Sequence, residues 1–134
     1  MSYQSIRGFL EANTTASLIT GGIPTIFYDN VAHAQPDAEQ AYASISITFT
    51  DVKRDTIGCP GNDNIGGTIT VFIRTPANTG SAPGEQAAFE VLRGWSFCTQ
   101  VWLRNLDGPR TIATDENGVH QLFTVTAAFY GKLD

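Results

Sequence analysis

Two stretches of strict alternation constrain this chain more than any other feature. From Tyr42 to Thr50, Ala43, Ile45, Ile47 and Phe49 fall on one side, and Tyr42, Ser44, Ser46, Thr48 and Thr50 on the other. From Thr68 to Thr75, Ile69, Val71 and Ile73 oppose Thr68, Thr70, Phe72 and Arg74. Side chains of a strand alternate across its two faces, so a period of two predicts half-buried β-strands. Such strands need an apolar layer on one face only. A chain of 134 residues has room for one core of this kind.

Two helical patterns supply the layer. Between Ser2 and Thr20, residues Ile6, Phe9, Leu10 and Leu18 lie near one stripe, with Ser2 as the N-cap. Gly21-Gly22 stops this helix, and Pro24 prevents its continuation. Ile23 to Tyr28 then reads as a short strand. The second helix starts at an N-cap Ser81, with Pro83 and Glu85 in its first turn. Ala87, Ala88, Val91, Leu92 and Trp95 mark one face of it, and it runs to about Phe97.

Thr99 to Arg104 and Arg110 to Thr114 read as short strands parted by a turn at Asp107-Gly108-Pro109. The turn Asp115-Glu116-Asn117-Gly118 then closes a hairpin with a strand from Val119 to Tyr130. The expected order is α-β-β-β-α-β-β-β. That is an α+β fold, one domain over residues 1–134, with a single mostly antiparallel β-sheet and two helices packed on one face.

Between the two alternating strands lies DVKRDTIGCPGNDNIGG, residues 51–67, seventeen residues long. Hairpin loops usually have about two to five residues, so this loop is expected to carry function.

Searches for chemistry come out empty. His33 sits in a polar connection and His120 at the start of a strand, with no His-Glu-x-x-His or Cys-x-x-Cys spacing near either. Cys59 and Cys98 are far apart and are expected to be free thiols. The glycine turn at 58–61 has no helix after it, and 80–84 lacks the lysine of a nucleotide loop, so helix capping is its expected role. The reading is a non-enzyme without cofactor or metal.

Charge narrows the partners. Charged residues make up 16% of the chain, below the roughly 25% typical of soluble domains, and Ser, Thr, Asn, Gln and Gly fill the gap. A surface of that kind is easily dehydrated against another protein. The net charge of -5 argues against gripping nucleic acid. Apolar runs fall far short of the ~18–20 residues that span a bilayer. The N-terminus has no secretory pattern, so synthesis in the cytoplasm is expected. On the polar side of the strands, Tyr42, Phe72 and Trp102, with Tyr130, stand out. Aromatic residues are enriched at interfaces, which makes the first three candidates for a subunit–subunit contact.

The stretch Asp55-Thr-Ile-Gly-Cys-Pro-Gly61, the run Thr75-Pro-Ala-Asn-Thr-Gly-Ser-Ala-Pro-Gly-Glu85, the helix with Trp95-Ser96, and Asn105-Leu-Asp-Gly-Pro-Arg-Thr111 together resemble the tail-terminator proteins of tailed bacteriophages. The likeness is one of ordered texture over nearly the whole chain. It implies a structural virion protein at the tail–neck junction, assembled in the host cytoplasm. Such proteins form a six-fold homo-oligomeric ring that caps the tail tube, stops its polymerisation and joins the tail to the head. The implied partners are the tail tube protein, the neck or connector protein and the tail sheath, with DNA passing through unbound. Sheets of adjacent subunits would line the ring, with helices outside. The 51–67 loop would meet the axial partner through Lys53, Arg54, Asp55 and Asp63. A neck or head-completion connector and a small ligand-binding α+β domain are the alternatives.

Overall fold

Helix α1 (Tyr3–Thr20) forms where the first apolar stripe predicts it, burying Ile6, Leu10, Thr14 and Leu18 at successive spacings of four. The computed structural model describes residues 3–29, 40–54, 63–76, 80, 82–96, 101–112 and 120–133. The expected caps Ser2 and Ser81, the 115–118 turn, Asp55, His33, Cys59 and Cys98 lie outside these. The glycine pair ends α1 by a defined geometry. Gly22 takes φ +94°, its N–H bonds the Ile19 carbonyl at 3.0 Å, and the Ile23 N–H bonds that of Leu18 at 2.9 Å. This pairing satisfies two carbonyls that the helix end would leave bare, and it brings Leu18 and Ile23 together in the core.

After α1 come β1 (Ile26–Tyr28), β2 (Tyr42–Arg54), β3 (Asp63–Pro76), α2 (Ala82–Ser96), β4 (Trp102–Ile112) and β5 (His120–Leu133). They build one five-stranded sheet in the order β1-β2-β3-β5-β4. Strand β1 is parallel to β2, and the other three pairings are antiparallel. The α+β, mostly antiparallel expectation holds.

Both helices lie on one face. Ile45, Ile47, Ile69, Val71, Ile73, Phe123, Val125 and Phe129 turn toward them and share a single core with α1 and α2. Contact is close where residues are small. The Phe123 ring occupies the space a Cβ on Gly84 would need, and a Cβ on Gly21 would fall 2.8 Å from the Ala87 Cα. Trp95 is buried, and its indole N–H donates to the Thr14 hydroxyl at 3.0 Å. That bond gives the one polar atom of a large apolar side chain a partner in the core.

The sheet's edges differ from what local sequence implies. Strand β1 stops at Tyr28, and beyond it the Asp29 carboxylate accepts the Ile47 N–H at 2.7 Å. Arg7 completes the plug, bonding Asp29 at 3.3 Å and the Ile47 carbonyl at 3.1 Å. Two side chains thus stand in for the next strand residue.

On the far edge, Asp107-Gly108-Pro109 is no turn between two strands. It lies inside β4, where the register slips between Arg104 and Asp107 and again between Asp107 and Arg110. Asn105 (φ 55°) and Gly108 (φ 127°) absorb the extra residues, and the Gly108–Pro109 peptide is cis. The expected count of strands after α2 therefore falls from three to two.

The 51–67 loop is likewise shorter than expected. Strand β2 runs on to Arg54 and β3 starts at Asp63, with those two residues paired across the ladder. A register shift between Phe49 and Asp51 lets β2 continue. Gly67 has no space for a side chain, since the Thr48 carbonyl and the Phe129 ring fill it. Lys53, Arg54 and Asp63 are thus strand residues, and only 55–62 connects the strands.

Candidate assembly interface

Because both helices pack on one face, the opposite face of the sheet has no helix over it. Register alone defines its rows. Ser46 lies beside Thr70, which lies beside Thr126 and then Asp107; Thr48, Thr68, Ala128 and Arg104 form the next row. The Thr70 and Thr126 hydroxyls bond each other at 3.2 Å. This floor of small hydroxyl side chains separates two aromatic groups.

The first group surrounds Tyr42. Its ring meets Phe27 and His120 edge-on, at centroid distances of 5.8 and 5.2 Å. The Arg74 guanidinium lies 5.4 Å from the Tyr42 ring centre and 5.7 Å from that of Phe72, and its Nη1 donates to Ser44 at 3.2 Å. Tyr42 retains only 4% of its surface exposed. Its parity was legible, but as a subunit-contact residue it is spoken for internally. His120 is fully buried beside it, with its Nε2 at 2.9 Å from the Gln40 carbonyl. A carbonyl can only accept, so Nε2 is the donor in that bond, and Nδ1 is buried with no hydrogen-bond partner among the described residues. His120 is therefore part of the packing around Tyr42.

The second group is at the β4–β5 end. Trp102 and Tyr130 are directly opposite each other and stack at 4.8 Å with planes 26° apart. Arg104 sits over the same Tyr130 ring, 4.2 Å from its centre. Trp102 remains 42% exposed and Arg104 is exposed, so the stack is held in shape yet open to solvent. Leu106, 40% exposed, lies on the same strand. Asp107 and Arg110 face each other in a two-pronged ion pair at 2.8 and 2.9 Å.

The structure thus keeps Phe72 and Trp102 on one surface, as alternation implies, and adds Arg104 and Tyr130 to them. Arg104 was missed as a site residue because its contact is with a ring on the neighbouring strand, 26 positions away. Elsewhere, an open cleft of about 220 Å³ runs between the helices, lined by Asn13, Ser17, Thr20, Glu90, Arg93 and Gly94. Among the described residues there is no group of three or more His, Cys, Asp or Glu placed to hold a metal ion. No helix among them is long and apolar enough to cross a membrane.

The arrangement defines a two-layer α+β fold with one sheet face that neither helix covers. A solved structure of another protein matches it at a TM-score of 0.68, over 100% of this chain and 97% of that one, with 18% sequence identity. At that identity the likeness concerns the fold. No protein-family model matches the chain, and no curated protein does.

Proposed function

We propose that this chain is a structural virion protein of the tail-terminator kind. It closes into a ring, hexameric by the resemblance, that caps the tail tube, halts its growth and joins it to the neck. The observation that supports an assembly role most directly is the helix-free sheet face bearing Phe72 and the Trp102–Tyr130–Arg104 stack, whose Trp102 and Arg104 are exposed. Trp, Tyr and Arg are the side chains that most often dominate protein–protein binding. The ordered texture of the sequence supplies the specific role.

In this reading the partners are further copies of the chain, the tail tube protein, the neck or connector protein and the tail sheath. The hairpin end formed by Lys53, Arg54 and Asp63, with Asp55 beyond it, meets the axial partner. DNA passes through without being gripped, and the protein performs no covalent chemistry and takes no cofactor.

The test is to add the purified protein to polymerising tail tube subunits and measure tube length by electron microscopy. Capping shortens tubes in proportion to the added protein, with a ring density at one end. Tubes of unchanged length, together with a monomeric mass at every concentration, overturn the proposal. Binding to the neck protein but not to the tube would favour the connector reading.

A further inference from the structure

From Tyr42 to Thr50, strand β2 carries no charged residue, no glycine and no proline. Its Ile, Thr, Phe and Tyr side chains all favour extended structure. A segment of that kind pairs readily with a copy of itself wherever one of its edges is open, unless charges guard it. Here β1 pairs only with Ala43, Ser44 and Ile45, and among the described residues no strand lies beyond β1. The rest of β2 therefore needs another form of cover.

The backbone shows which groups would be offered there. The Ala43 N–H bonds the Thr25 carbonyl at 3.0 Å, and the Ile47 N–H turns the same way, to the Asp29 carboxylate at 2.7 Å. The Ile47 carbonyl is outward too, accepting an Arg7 N–H at 3.1 Å. The Thr48 carbonyl instead turns inward, filling the place of a Cβ on Gly67. A trans peptide sets its C=O and N–H on opposite sides, so the Phe49 N–H turns outward. Ile47 and Phe49 are thus the residues at which a second strand would take hold.

One arginine stands over both. Arg7 and Asp29 occupy the two backbone groups of Ile47 and bond each other at 3.3 Å. The same guanidinium lies 5.4 Å from the centre of the Phe49 ring, which Tyr3 meets edge-on at 5.0 Å. Glu11, one turn along α1, steadies Arg7 at 3.8 Å. Directly after Phe49, the register with β3 shifts.

We propose that the Arg7–Asp29 pair is a lock on the β2 edge, which keeps β2 from pairing with β2 of a second copy. The guarding charges are missing from Tyr42–Thr50 because α1 and the end of β1 supply them from outside. An incoming strand must break both bonds to Ile47 and leave the Arg7 charge against its own backbone. The lock does not depend on the ring reading. Copies that join through side chains leave the Phe49 amide as it is in the single chain.

The test compares the wild type with Asp29→Ala, which removes the acceptor of the Ile47 N–H, and with Asp29→Asn, which keeps an oxygen there. Mass is followed by sedimentation over a wide range of concentration, and amide hydrogen exchange is read residue by residue. In dilute Asp29→Ala, the Ile47 amide should exchange about tenfold faster than in the wild type. At high concentration the variant's mass should double relative to the wild type, and the Ile47 and Phe49 amides should become slow together. Asp29→Asn should keep the wild-type mass and a slow Ile47 amide. Arg7→Ala opens the same edge from the helix side and should also double in mass, which keeps the test if Asp29→Ala does not fold.

Wild-type mass at every concentration in a folded Asp29→Ala or Arg7→Ala overturns the proposal, because the pair then only steadies the chain locally. A doubled mass without renewed protection at Ile47 and Phe49 places the new contact elsewhere and also overturns it. A wild type that never forms a ring removes the functional reading and leaves the lock standing.

Discussion

The two faces of this sheet are built from the same strands, yet they are held together by different means. On the helix side, Ile45, Val71 and Val125 share one row and all three are buried. One residue along each strand, the row Ser44, Phe72, Thr124 and Arg110 is only partly covered. The first face is stabilised by exclusion of water from apolar surface, about 25 cal/mol for each Å² buried. The second is held by paired hydroxyls, ring stacking and guanidinium–ring contacts, each about 0.2–1.5 kcal/mol. The comparison separates stability from association. One face carries the fold, and the other can change without unfolding it.

That separation is open to direct attack, and the covered face gives the largest effects. Phe123→Ala removes a fully buried ring against which Gly84 packs, and should lower unfolding free energy by about 3–5 kcal/mol in urea titrations. Gly84→Val inserts a side chain where that ring already lies. It should cost about 1–3 kcal/mol or more, with α2 displaced, read as a lower unfolding midpoint. Thr14→Val keeps the shape but strips the Trp95 N–H of its acceptor, for a loss of about 1–3 kcal/mol.

The open face should respond weakly. Trp102→Ala loses one stacking partner of Tyr130, at a cost of about 1 kcal/mol or less to the fold. If Trp102→Ala destabilised the protein as much as Phe123→Ala, the distinction between the faces would collapse. A loss of self-association without loss of stability would sharpen it.

What could be read from the sequence follows the range of the forces involved. Helix α1, its glycine stop and the alternation in β2 and β3 are set by neighbours within a few positions, and each appears where the pattern implies. The bare face was legible for the same reason, through the parity of Phe72 and Trp102. Strand β4 was not. Asp107-Gly108-Pro109 has turn chemistry locally, but Arg104, Asp107 and Arg110 each pair with β5, which carries the chain straight through.

The 51–67 segment misled in the same way. Its glycines look like loop residues, yet Gly66 and Gly67 pair with β2 on one side and with Tyr130 and Phe129 on the other. Gly67 is required because two neighbours leave its Cβ no room. The burial of Tyr42 depends on Phe27 and His120, which no local pattern brings together with it.

The kinked edge strand has a consequence for how copies of this protein fail. A long straight edge offers a regular row of backbone donors and acceptors on which another chain can add indefinitely, the route to fibrils. Strand β4 breaks that row twice, reverses φ at Asn105 and Gly108, and places at Pro109 a residue with no N–H to offer. Addition through this edge is therefore poorly templated, whatever the local concentration of copies. Contacts at this edge are left to side chains, whose geometry does not repeat along the strand.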